Sequence, residues 1–178
     1  MKPILDMTAG SRMFWWNKDD PRAIFVDKRD EFHSVPDCNA KDGERQIWID
    51  PDIQLDWTKE PLPFPDNTFH LVVFDPPHLK HAGEGSWLAA KYGTLDDLWP
   101  NQIRRGFSEA MRVLKPYGTL IFKWNDDQIK LADVLHEITY RPLFGDKRSK
   151  THWVCTRISD RNIRELIYPK GVLKMTYS

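Results

Sequence analysis

The chain has 178 residues, 40% of them hydrophobic and 29% charged, and its formal net charge at pH 7 is zero. That length supports one compact α/β domain with a core of its own and leaves little room for a second, so a single domain over residues 1–178 is expected. No apolar run approaches the roughly 20 residues of a membrane-spanning helix, which excludes a helical membrane protein as the expectation.

The opening residues, Met1-Lys2-Pro3-Ile4-Leu5-Asp6, contain neither the apolar stretch nor the small-residue cleavage site of a secretory signal. Cys38 and Cys155 stand alone rather than in a paired-ligand spacing. A cytoplasmic location, two reduced and buried thiols and no metal site are therefore expected. The zero net charge conceals an asymmetry: residues 1–102 carry 11 Lys+Arg against 18 Asp+Glu, and residues 103–178 carry 15 against 8. The second part is the candidate for a phosphate-facing surface, although its cations are spread out as solvated charges usually are.

In chain order, Pro3 to Asp6 reads as a short apolar strand. It is followed by the tight segment Thr8-Ala9-Gly10-Ser11 and a helix-compatible Met13-Phe14-Trp15-Trp16. Ala23-Ile24-Phe25-Val26 is a second apolar run, ending at Asp27. A third strand is expected within Gln46 to Trp57, interrupted by Pro51. A fourth, Phe69 to Phe74, stops at Asp75-Pro76-Pro77. Leu98 to Leu114 is amphipathic, with Ile103, Phe107, Ala110, Met111 and Leu114 on one face and Pro116 and Gly118 beyond its end. Thr119 to Trp124 predicts a fifth strand and Ile129 to Ile138 a helix. Thr139 to Phe144 and Thr151 to Ile158 predict a hairpin around Gly145 to Lys150. Strands alternating with helices and closing on a hairpin predict an open, mostly parallel sheet with an antiparallel edge. The one long irregular stretch, Leu79 to Pro100, is a size of connection that is usually functional.

Ligands of doubly wound sheets collect at the carboxyl ends of the strands, where three strands here end in Asp. The small residues Ala9 and Gly10 after Asp6 let backbone N–H groups approach a ligand. Arg12 stands where a dinucleotide site commonly has a second glycine, which disfavours a pyrophosphate cradle. Asp27 follows at the separation from which a carboxylate accepts hydrogen bonds from ribose hydroxyls. Together Asp6, Gly10 and Asp27 favour an adenosine-containing ligand.

Asp75-Pro76-Pro77-His78 is the strongest local signal. The lone pair of an amino group on a base is delocalised into the ring, so the group attacks an electrophilic methyl poorly unless both its hydrogens are held. Asp75 can accept one N–H and the Pro76 carbonyl the other, while prolines 76 and 77 fix φ and bring no competing donor. Asp75 or a water can then take the proton the methylated amine sheds, with His78 stacking on the ring or bonding to its edge.

In this order, Leu5-Asp6-Met7-Thr8-Ala9-Gly10-Ser11, Val26-Asp27, Phe74-Asp75-Pro76-Pro77-His78 and Leu114-Lys115-Pro116-Tyr117-Gly118-Thr119-Leu120 resemble the class I S-adenosylmethionine (SAM) dependent amino-methyltransferases of the DNA adenine-N6 and cytosine-N4 type. The resemblance spans about residues 3–158 and is greatest to small phage or mobile-element members. It implies a Rossmann-like fold: a mostly parallel seven-stranded sheet with an antiparallel C-terminal hairpin and helices on both faces. It also implies SAM as cofactor, held by Asp6, Thr8, Ala9 and Gly10, with Asp27 on the ribose and Asp56, beside Trp57, near the adenine. Asp50 is the alternative to Asp56. The base-amine site would be Asp75, Pro76, Pro77 and His78, and the partner a nucleic acid, DNA before RNA.

Two positions depart from the family pattern. His78 stands where Tyr, Phe or Trp is usual, and in these 178 residues a separate recognition region is not expected beyond the 79–100 loop. Methylation of guanine N2 or adenine N6 in RNA stays open, as does a catalytically silent SAM-binding subunit. Protein-glutamine methylation is disfavoured, because that branch begins its motif with Asn. Trp87 and Trp99 in the long loop are candidate base platforms. Lys147-Arg148-Ser149-Lys150 is a candidate phosphate contact, testable by charge reversal and the salt slope of binding.

Overall fold

The computed structural model describes residues 1–13, 15–37, 41–81, 93–145 and 151–157, the last six by their backbone. Phe14, Cys38, residues 82–92 of the long loop with Trp87, the tip Lys147 to Lys150, and Ile158 lie outside the described residues, as does the side chain of Cys155.

The described elements are β1 (Ile4–Asp6), β2 (Ala23–Asp27), β3 (Glu31–Pro36), β4 (Glu44–Ile49), β5 (Ile53–Gln54), β6 (Phe69–Phe74), α1 (Trp99–Val113), β7 (Leu114–Asn125), α2 (Leu131–Glu137), β8 (Phe144–Gly145) and β9 (Thr151–Arg157). Seven strands form one sheet in the order β5-β2-β1-β6-β7-β9-β8. The five from β5 to β7 are parallel, and β9 runs antiparallel to both β7 and β8. Chain order reverses at β1, which has β2 on one side and β6 on the other, and a reversal of that kind opens a crevice at the carboxyl ends.

Alternation along the strands divides the core. Leu5, Val26, Val72, Phe74, Leu120, Phe122 and Trp124 face one side and are buried in one cluster with Ile103, Phe107 and Ala110 of α1 and Val134 of α2. Ile4, Ala9, Ala23 and Phe25 face the other side and pack with Trp15. The expectation of helices on both faces is corrected here, since among the described residues both helices share one face. On the other, the chain after β1 runs through turns rather than a helix, because Gly10 (φ 50°) and Arg12 (φ 54°) are both left-handed. The Arg12 guanidinium, 4.0 Å above the Phe25 ring, covers part of this face in place of a helix.

Three further boundaries differ from expectation. The third strand divides at Pro51: Glu44–Ile49 pairs with Glu31–Pro36 as a separate antiparallel hairpin, and Ile53–Gln54 alone joins the sheet beside β2. The run from Thr139 contributes only its end, Phe144, with Gly145, as β8. Leu114 leaves the helix in an extended conformation and already begins β7. The turn expected at Pro116 to Gly118 is a bulge within that strand, with Tyr117 at φ 63° and a register shift opposite Phe69 to Leu71. No described helix is long and apolar enough to cross a membrane.

Gly106 permits the close approach of α1 to the sheet. A Cβ there would lie 2.4 Å from Phe74 Cζ and 2.9 Å from Trp57 Cζ3, both rings buried. Gly106→Ala is expected to destabilise the fold by about 1–3 kcal/mol through overpacking, despite the ~1 kcal/mol gain in helix propensity. Urea unfolding checks this, and a variant as stable as the parent would show that the two rings can yield.

Candidate functional site

The carboxyl ends of β1, β2, β6 and β7 surround a cleft of about 520 Å³, within the range of small-molecule sites. Thr8, Ala9 and Gly10 line it from the turn after β1, Asp27 from β2, Asp56 and Trp57 from the segment after β5, Asp75 and Pro77 from the turn after β6, and Lys123 from β7. Eight of the eleven residues singled out in the sequence therefore meet in one cavity. Asp6, Pro76 and His78 do not line it.

The wall after β1 is fixed by hydrogen bonds at both ends. Met7 N–H donates to the Val73 carbonyl (3.1 Å) and Ala9 N–H to the Val26 carbonyl (2.9 Å), threading the turn between β6 and β2. Gly10 N–H donates to Asp27 Oδ2 (2.8 Å), while Arg29 donates from its backbone N–H (3.0 Å) and its Nε (3.2 Å) to Asp27 Oδ1. A carboxylate has about four lone-pair directions, so Asp27 can hold this turn and still accept a ligand hydroxyl.

Asp6 is fully buried. Its Oδ2 accepts from the Trp15 indole Nε1 (2.7 Å) and its Oδ1 from Thr8 N–H (3.2 Å). Burial pushes its carboxyl up from 3.8 to about 7, against those two hydrogen bonds and with added repulsion from Asp75 and Asp27. Asp6, expected as a ligand contact, stands behind the wall of the cleft rather than lining it.

Burial also raises the Asp56 carboxyl, but hydrogen bonds from Thr58 and Lys59 outweigh it, and the net shift is downward. Asp56 thus presents an ionised acceptor on the wall facing Asp27. Trp57 is buried with its ring edge-on to Phe74, 5.1 Å between centroids, and its carbonyl accepts from Arg105 Nε (3.2 Å). It secures the Asp56 segment to α1.

The turn after β6 is joined to the turn after β1, since Asp75 N–H donates to Thr8 Oγ1 (2.7 Å). Asp75 Oδ2 accepts from Lys123 Nζ (2.7 Å). Pro76 is buried, and Gly93 approaches Pro77 closely enough that a Cβ there would lie 3.4 Å from Pro77 Cγ. The half-buried His78 ring lies 6.4 Å from that of Trp124, near-perpendicular to it. Burial holds the His78 imidazole below its ordinary value, aided by the positive charge of Lys123. His78, expected to stack on the base, does not line the cleft.

Sequence reasoning passed over Lys123 altogether. Its signal was a cation set within the apolar run Leu120 to Trp124, one residue before its last aromatic. Thr94, Leu95, Asp96 and Gln102 complete the rim where the long loop meets α1.

The fold and the site together define an α/β protein with a mostly parallel sheet and a cleft at its switch point lined by both carboxylates and cations. No protein-family model matches the chain, and no curated protein is similar to it in sequence. The solved structures that match the chain include these two. The PH0226 protein from Pyrococcus horikoshii OT3 is 16% identical over 86% of this chain and 80% of its own, with a TM-score of 0.50. The "putative methylase HI0767" from Haemophilus influenzae is 14% identical over 90% of this chain and 88% of its own, with a TM-score of 0.46. The first likeness shows a shared fold.

Proposed function

We propose that this chain is a SAM-dependent methyltransferase acting on an exocyclic amino group of a nucleobase, with adenine N6 in DNA the favoured target. The reading is carried by one observation: Asp75 and Pro77 of the acceptor turn share a cleft with Thr8, Ala9, Gly10, Asp27 and Asp56, the set suited to an adenosine-containing methyl donor. The strand order with an antiparallel pair at one edge agrees with the Rossmann-like arrangement the family resemblance implies.

In this reading Thr8 to Gly10 present the backbone, Asp27 accepts from the ribose and Asp56 borders the adenine. Bound SAM supplies an electrophilic methyl on a sulfonium. Asp75 accepts one amine N–H and the Pro76 carbonyl the other, aiming the nitrogen lone pair. The nitrogen gains the methyl as the carbon–sulfur bond breaks and its electron pair passes to sulfur. The nitrogen then loses one proton, to Asp75 or to water. An unpaired or flipped base is the form such a cleft can take.

Tritiated methyl transfer from SAM to DNA, tRNA and rRNA tests the proposal. Label on adenine of DNA is expected. Label confined to RNA would move the substrate to the guanine-N2 or adenine-N6 reading, and SAM binding without label anywhere would replace the enzyme by a silent SAM-binding subunit.

A further inference from the structure

Lys123 occupies an unusual place for a cation. Along β7, Leu120, Phe122 and Trp124 are buried against the helices, while Ile121 and Lys123 face the other side. The register pairs Phe74 with Phe122, so the next residue of each strand, Asp75 and Lys123, falls side by side at the cleft. Their charged atoms are 2.7 Å apart, with the side chains 7% and 17% exposed. At that depth removing either partner is costly, so the pair constrains both side chains.

Of the charged groups around Asp75, Asp6 at the end of β1 and Lys123 on β7 act on it directly, while Asp27 at the end of β2 acts on Asp6 and Asp127 beyond β7 acts on His78 of Asp75's own turn. Asp6 shows what a carboxyl meets here without a cation on it: burial, then repulsion from Asp75 and Asp27, push it up to about 7. Asp75 and Asp6 repel each other, and Asp75 has in addition the Lys123 ammonium 2.7 Å from its carboxylate.

We propose that Lys123 is a positioning residue for the transfer, holding Asp75 ionised and its carboxylate in one orientation at the cleft wall. This rests on the reading of Asp75 as acceptor of the substrate amine. A protonated Asp75 would offer an O–H donor to an amine that has donors of its own, so the cation widens the pH range in which the amine is gripped. It also makes Asp75 a weaker base, favouring water as the final proton acceptor.

The test compares the full chain with Lys123→Met and Lys123→Arg. The Asp75 carboxyl is followed by carbon-13 NMR across pH, assigned by its loss in Asp75→Asn, beside kcat and KM against pH on the best-labelled nucleic acid. In Lys123→Met the Asp75 midpoint should rise by about one pH unit or more. The acid limb of kcat should rise with it, giving a loss of about tenfold at fixed pH below the new midpoint that recovers as pH rises. Lys123→Arg should keep the parent's midpoint. An unchanged Asp75 midpoint in Lys123→Met, or a kcat loss of the same size at every pH, would overturn the proposal. Lys123→Gln carries the same readout should the Met variant not fold. A parent chain that transfers no methyl overturns the proposed function instead, while the carboxyl titration still decides whether Lys123 governs Asp75.

Discussion

Asp75→Ala is expected to lower methyl transfer by about 10²–10⁴-fold, the range that a positioned acid–base group contributes. The loss should fall on kcat, since the carboxylate is invoked to grip the reacting amine rather than the remote parts of the substrate. Alanine also leaves the Lys123 ammonium without its 2.7 Å partner in a setting where its side chain is 17% exposed, so this variant should melt below the parent. Asp75→Asn separates the two effects. Its amide oxygen can still accept from Lys123, but its NH₂ brings donors toward an amine that needs acceptors. The Asn variant should therefore melt near the parent and remain strongly impaired. Transfer at the parental rate by both variants would remove Asp75 from the chemistry, and melting temperature measured beside single-turnover rates makes that outcome unambiguous.

The parts of this architecture legible in the sequence were those in which an apolar run ends on a charged residue. Ala23 to Val26 before Asp27, and Phe69 to Phe74 before Asp75-Pro76-Pro77, are strands in the structure with the boundaries their composition suggests. Such strands are buried on both faces, so hydrophobic run length alone reveals them. The hairpin of β3 and β4 was not legible, because Glu31–Pro36 breaks the apolar–polar alternation at His33-Ser34, ends in proline and exposes Phe32, as β4 exposes Trp48, at 45% and 63%. Half-buried edge segments of this kind carry little periodic signal.

The cleft was legible as a set of strand ends but not as a set of contacts. Lys123 and Asp75 are 48 residues apart in sequence, and only the β6–β7 register makes them neighbours. Likewise nothing in the sequence distinguishes an Asp6 that faces a ligand from one that faces the indole of Trp15, because the turn between them is set by the left-handed Gly10 and Arg12.

That buried Asp6 carries the second large prediction, in stability rather than rate. Its folded value of about 7 lies above the unfolded 3.8, so between these limits the folded chain holds a proton the unfolded chain has lost. Unfolding free energy must then fall as pH rises: the stability tied to the protonated form is complete below 3.8 and is lost by the time pH passes about 7. At 1.36 kcal/mol per pH unit, the span from pH 5 to the folded midpoint amounts to about 2–3 kcal/mol. Other groups titrate in the same window, among them His78, whose value burial lowers and whose contribution runs the opposite way. The informative quantity is therefore the difference between the parent and Asp6→Asn, which cannot titrate at this position. Urea unfolding of both at pH 5 and pH 8 should show the parent's advantage shrinking by that 2–3 kcal/mol on going to pH 8. A difference that stays constant would mean that the hydrogen bonds from Trp15 and Thr8 keep Asp6 ionised throughout. In that case the turn after β1, and through Thr8 the Asp75 backbone, would rest on a permanent buried anion rather than on a group that gains its proton near neutrality.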